Sequence, residues 1–181
     1  MKNKFAKLKK ELCQQALEHA RISPELYHKF NVKRGLRNDD GSGVLVGLTE
    51  IGSVLGYEII DQELVPAAGR LLYRGYDVEA LARGARTRKR RLGYEETAYL
   101  LLFGELPDDK QLEEFNELLV DNRELPKNFS RDIIMTFTPL NIMNSLASSV
   151  LSLYARDSDP DGLSPETIVR QSIELIAKFP D

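Results

Sequence analysis

The sequence predicts a mainly α chain with a small β-hairpin region near residues 43–73, and three observations carry that prediction. Apolar residues recur at helical spacing in several separate segments. Capping residues punctuate those segments: Ser-Pro-Glu triplets at Ser23 and Ser164, and aspartates at Asp77 and Asp108. From Lys33 to Tyr73 the helical period vanishes and glycines crowd among β-branched residues. The expected organisation is therefore N-terminal helices over 1–30, a hairpin-rich segment over 31–76 and a helical body over 77–181.

The first helix follows from a stripe of Phe5, Leu8, Leu12 and Ala16. A short second helix starts after Ser23, with proline in its first turn and an acid at its positive end, and runs to about Phe30. The pieces "GVLVG" and "YEII" are too short to build a sheet of their own, so a small hairpin region lying against helices is expected. Beyond it Asp77 caps "VEALARGA", and "YEETAYLLLFG" has acids in its first turn and Gly104 at its C-terminal stop. After Asp108, Leu112, Phe115, Leu118 and Leu119 share a helix face; burying each contributes about 1.5–3 kcal/mol before the entropic cost. Ile142, Met143, Leu146, Val150, Leu153 and Tyr154 give the next helix a broad apolar face, which predicts a central position. The polar loop "RDSDPDGL" precedes a last helix with Ile168, Val169, Ile173 and Ile176.

The chain has 181 residues, 42% hydrophobic and 29% charged, which is ordinary for a soluble globular protein. A net charge of -3 argues against a general polyanion binder. A single cysteine, Cys13, excludes an internal disulfide and fits a reducing compartment. No apolar run approaches the roughly 20 residues of a membrane helix. The basic N-terminus lacks the apolar stretch of a signal peptide and carries Glu11 and Glu18, so a cytoplasmic location is expected.

Chemistry-bearing patterns are sparse. His19 and His28 lie nine apart with no third ligand at a suitable spacing, so no metal site is expected. Cys13 reads as a helix residue rather than a nucleophile. The run "RTRKRR" at Arg86–Arg91 has no interleaved aromatics; a solvated link is favoured over a phosphate or partner contact, and nucleic acid is the remote reading. Asp39–Asp40, Glu95–Glu96 and Asp108–Asp109 suit turns and first helical turns better than acid–base pairs. The glycines between Gly35 and Gly56 form neither a dinucleotide fingerprint nor a P-loop. In "GRLLYRGYDVEALA" the Arg-Gly pair between two tyrosines is either a binding site or a strand-to-helix corner.

The order of three segments is informative. "VKRGLRNDDGSGVLVGLTEIGSVLGYEIID", "GRLLYRGYDVEALA" and "LGYEETAYLLLFGELPDDKQLEEF" together resemble the N-terminal portion of citrate synthases, and "PLNIMNSLASSVLSLYARD" resembles a long helix of that family. The resemblance runs from about Tyr27 to the last residue. It implies the helical array of the citrate synthase large domain, an all-α class apart from the hairpin, with the small catalytic domain absent. It also implies that "YRGY" is a corner, with Gly75 serving backbone conformation, Arg74 pairing with a carbonyl or carboxylate, and Tyr73 and Tyr76 packing.

The family condenses acetyl-CoA with oxaloacetate to citrate and CoA, using an aspartate base, two histidines and carboxylate-holding arginines. The resemblance places those residues beyond Asp181, so no catalytic residue is expected in this chain, which would be an inactive piece of a longer enzyme. Arg34, just before Gly35, matches an arginine that lies near the CoA phosphates in some members; a mobile surface arginine is the equal alternative. No permanently bound cofactor is implied, acetyl-CoA and oxaloacetate being substrates of the full-length enzyme, and the intact family member is a homodimer. "TPLNIM" stands where many members have His-Pro-Met. A 2-methylcitrate synthase fragment and a free-standing helical interaction or regulatory module are the alternatives. A piece of this kind would leave the apolar faces of Ile142–Tyr154 and Ile168–Ile176 uncovered and self-associate.

Overall fold

The computed structural model describes residues 5–30, 32, 47–61, 63–87, 93–136 and 141–180. Two compact units divide the chain, Gln15–Leu112 and Met1–Gln14 with Glu113–Asp181. Seven helices are described: α1 (Ala6–His19), α2 (Pro24–Lys29), α3 (Val78–Thr87), α4 (Tyr94–Phe103), α5 (Asp109–Asp121), α6 (Ile142–Tyr154) and α7 (Pro165–Lys178). Three strands, β1 (Gly52–Ile60), β2 (Glu63–Tyr73) and β3 (Tyr76–Asp77), form one antiparallel sheet in the order β1-β2-β3. The fold is mainly α, and the sheet corrects the all-α class.

Local chemistry sets the helix ends. Asp77 Oδ1 accepts from the Glu79 and Ala80 amides at 3.0 and 3.4 Å and so starts α3. Gly104 ends α4 with φ 89°, its N–H donating to the Leu100 carbonyl at 2.9 Å. At α5 a reciprocal box forms: the Gln111 amide donates to Asp108 Oδ1 at 2.7 Å, and the Asp108 amide donates to Gln111 Oε1 at 2.8 Å. Ser164 accepts from the Thr167 amide at 3.1 Å and caps α7. Ser23 differs from expectation, because its hydroxyl makes no capping bond and only its carbonyl accepts, from the Leu26 amide.

Within Gln15–Leu112, the buried side chains include Tyr99, Leu100 and Phe103 of α4 and Leu112. Tyr99 and Phe103 meet edge to face at 4.8 Å, and the Tyr99 hydroxyl reaches Gln15 Oε1 at 2.9 Å. In the other unit Phe5 and Leu12 of α1, Phe115, Leu118 and Leu119 of α5, and Ile173 of α7 are buried. The stripes read from the sequence on α1 and α5 thus face inward.

Two expectations are corrected. The strands are long, nine and eleven residues, and none of the side chains described on β1 is buried. The hairpin therefore does not lie against helices along its length. Its alternating backbone exposes apolar groups on both faces, with Val54, Tyr57 and Ile60 all more than half exposed. The piece "GVLVG" lies outside the described residues except for Gly47. Helix α6 is not central: it buries no residue, and Ile142 and Met143 are 77% and 67% exposed. Its apolar face borders two open grooves instead. A single π-helical turn at Ser130–Ile134 has no counterpart in the sequence reading.

Candidate functional site

Arg34, the one cofactor-binding candidate, lies outside the described residues, as do Asp39, Asp40 and Arg88–Arg91. Among the described residues, no group of three His, Cys, Asp or Glu side chains could hold a metal ion. Likewise, no helix among them is long and apolar enough to cross a membrane. The chemistry that can be placed gathers in two clusters, one in each unit.

The first is the corner at "YRGY". Tyr73 and Tyr76 are a paired register position of β2 and β3, leaving Arg74 and Gly75 as a two-residue loop. Their φ values of 49° and 84° are those of a type I′ turn, which matches the twist of the strands it joins. Glycine tolerates that conformation, whereas arginine is strained by it and needs compensation. The guanidinium supplies it: Nη1 donates to the His19 carbonyl and Nη2 to the Leu101 carbonyl, both at 3.2 Å. His19 ends α1 and Leu101 lies in the last turn of α4. One cation therefore caps the negative ends of two helices, satisfying carbonyls that helix geometry leaves without partners.

The same node absorbs His19. Its ring packs on Gly104, where an added Cβ would fall 2.3 Å from its Cγ, and its Nε2 stands 3.3 Å from Glu105 Oε1. His28 is exposed on α2. Tyr73 is half-buried, but Tyr76 is exposed rather than packed. The corner is thus the structural reading of the sequence, with carbonyls as the arginine's partners.

The second cluster lies where the 155–164 loop meets α7. Arg170 grips Asp157 with both nitrogens, Nη2 to Oδ1 at 2.8 Å and Nη1 to Oδ2 at 3.0 Å, and reaches Glu174 Oε2 at 3.3 Å. This fork holds the Asp157 carboxyl down to about pKa 2, and the amide of Asp159 adds to the effect. Arg170 is raised in turn, mainly by its bonds to Asp157. A neighbouring groove of about 280 Å³ is lined by Leu153, Tyr154, Arg156 and Lys178 among others. Lys178 Nζ donates to the Asn122 carbonyl at 3.0 Å, and Arg156 stands 5.7 Å over the Phe129 ring. These cations are already engaged, so the cluster ties a loop to a helix and presents no vacant fork to a carboxylate ligand. Sequence reasoning saw only a polar loop here. The signal was an arginine one turn from the buried Ile173, a position that obliges a cation to find a partner.

Cys13 is buried on α1, and burial, with the Glu166 carboxylate second, pushes its thiol up, away from the thiolate a nucleophile needs.

The corner, the α4 stop and the α5 box occupy the segments whose order carried the resemblance, and comparison with known proteins agrees with it. The family model described as citrate synthase, C-terminal domain, matches residues 40–181. The citrate synthase of Haloferax volcanii is 30% identical over 154 residues, covering 82% of this chain and 35% of its own length. The 2-methylcitrate synthase of Shewanella oneidensis is 37% identical over 91 residues, covering 49% of this chain and 22% of its own. Among solved structures, that of citrate synthase from Pyrobaculum aerophilum superposes with a TM-score of 0.57 at 26% identity, covering 82% of this chain and 37% of that one. The chain thus spans about a third of the length of the Haloferax and Pyrobaculum proteins. With the family model spanning residues 40–181, the chain belongs to the citrate synthase family.

Proposed function

We propose that this chain is the scaffold part of a citrate synthase, a transferase that condenses acetyl-CoA with oxaloacetate, and that residues 1–181 precede the segments carrying the catalytic groups. The observation that supports this most directly is the match to 82% of this chain but only 37% of the Pyrobaculum citrate synthase. The chemistry of the described residues agrees. The condensation needs a base of matched pKa and donors aimed at a developing oxyanion. Here His19 is engaged with Gly104 and Glu105, Arg74 with two carbonyls, and Arg170 with Asp157 and Glu174. Each holds the fold.

On this reading Arg34 contacts the CoA phosphates, no cofactor is permanently bound, and the full protein is a cytoplasmic homodimer. The Shewanella relative supports a second reading, 2-methylcitrate synthase, whose product carries one more methyl and needs an acyl-CoA one carbon longer. The test is thiol release from acetyl-CoA, and from that longer acyl-CoA, with oxaloacetate. The product of the whole reading frame is compared with the 181-residue chain. Release by the longer product alone supports the scaffold reading, and the preferred acyl-CoA selects between the two enzymes. Release by the 181-residue chain itself overturns the assignment of scaffold. Release by neither favours a helical interaction or regulatory module.

A further inference from the structure

The hairpin has two long edges, and they are built differently. Strand β3 pairs only with Leu72 and Tyr73, so the rest of β2 is an edge. That edge carries the usual devices against pairing with another chain: Pro66, which lacks an N–H, the charges of Glu63 and Arg70, and a register break. The break puts Ala67, Ala68 and Gly69 of β2 opposite Gly56 of β1, so the irregularity belongs to β2. Strand β1, "GSVLGYEII", has no proline, no lysine and one charge, Glu58. Among the described residues no strand pairs with its outer side. Its side chains are exposed on both faces, Val54 at 79% and Tyr57 at 64%. Two long strands with apolar groups on both faces and little cover are marginal in water; added strands stabilise them.

We propose that β1 is a pairing edge for a second copy of this chain, the two β1 strands running antiparallel about a two-fold axis at Gly56. The pattern of β1 is self-complementary in that register. Leu55 stands opposite the second copy's Tyr57, Val54 opposite Glu58, and Gly52 opposite Ile60, so apolar residues meet and no charge faces its like. The two Glu58 side chains fall four positions apart, about 14 Å along the strand. The product is a sheet with four long strands whose outer edges are the two guarded β2 strands, a closed isologous dimer rather than an open fibre. This inference stands apart from the proposed activity and rests on the hairpin alone.

Two experiments on the 181-residue chain test it. In Gly56→Cys the new side chain has open space, with nothing within 4 Å of an added Cβ. Across the axis the two Cα atoms would lie about 4.5–5.5 Å apart, within disulfide reach. Ser53→Cys would place its pair roughly 20 Å apart. Oxidation with copper phenanthroline at micromolar protein is expected to give a covalent dimer with Gly56→Cys and none with Ser53→Cys or the unaltered chain. Equal cross-linking of both cysteine variants, or none at Gly56, overturns the proposal. The second test compares two double variants by sedimentation velocity. Leu55→Lys with Tyr57→Lys sets lysine against lysine across the axis and should weaken dimerisation at least tenfold. Leu55→Lys with Tyr57→Glu sets lysine against glutamate and should retain the dimer. Identical sedimentation of the two, whether both dimeric through another face or both monomeric, overturns it.

Discussion

Helices α4 and α6 are both rich in apolar residues, yet one is buried and the other is not. Helix α4, "YEETAYLLLF", buries Glu96, Tyr99, Leu100 and Phe103. Helix α6, "IMNSLASSVLSLY", carries no charge at all and buries nothing. Apolar content tells how much surface must be covered but not which neighbour covers it. The capping Arg74 holds the end of α4, and Gln15 takes the Tyr99 hydroxyl. Helix α6 instead borders a groove of about 250 Å³ lined by Phe129, Ile142, Leu146 and Leu153.

The sharpest way to break the comparison is at the buried end. Phe103 is 1% exposed and stacks edge-on with Tyr99. Phe103→Ala should cost about 3–5 kcal/mol, through lost burial and the cavity left behind. Urea titration with the transition followed by circular dichroism checks this, and a shift below about 1 kcal/mol would mean that α4 is not a core element. One residue further on, Gly104→Ala must adopt φ 89° and drive a methyl into the His19 ring. The expected loss is about 1–3 kcal/mol. If it instead stabilises the chain, as alanine does at relaxed sites, the α4 stop is not built as described.

A smaller effect separates the α7 anchor by pH. Asp157 is held near pKa 2 against an ordinary 3.8, so in the folded state it gives up its proton more readily than in the unfolded chain. Its stabilisation is fully present above pH 4 and is lost as pH falls toward 2. The shift bounds the contribution at about 2 kcal/mol. Asp157→Asn should melt below the unaltered chain at pH 7, and the gap should close by pH 2. A gap that persists at low pH would assign the loss to packing rather than to the Arg170 fork.

Sequence pattern reached the helices and their ends because those are local. Asp77, Asp108 and Ser164 act within a few residues, and a two-residue loop with glycine reads as a turn wherever it lies. What it missed depends on distant partners. Arg74 meets carbonyls 55 and 27 residues away. The hairpin length was missed because glycines at 52, 56 and 69 masked the strand signal, and the exposure of both faces left no alternation to read. The broad face of α6 promised a central helix because periodicity carries no information on the neighbour. The site fared worst: Arg34 came from family resemblance, and no local pattern marks a phosphate contact there.

The exposed end of the comparison yields the smallest effect and the most informative one. The serines of α6 turn inward on their own helix: Ser148, Ser149 and Ser152 donate to the carbonyls of Asn144, Ser145 and Ser148 at 2.8–2.9 Å. A hydroxyl satisfied in this way does not require water, so the helix can be covered without stranding a donor. Leu151 is 68% exposed. Leu151→Ser should therefore change the stability of the 181-residue chain by less than about 0.5 kcal/mol. In the product of the whole reading frame, on the proposed scaffold reading, the same change should cost about 2–5 kcal/mol, the range for losing a large buried side chain. Thermal unfolding of the four proteins measures both differences. Equal small losses would leave α6 a solvent-facing helix in the longer protein too, and the contrast with α4 would then be a permanent feature of the fold.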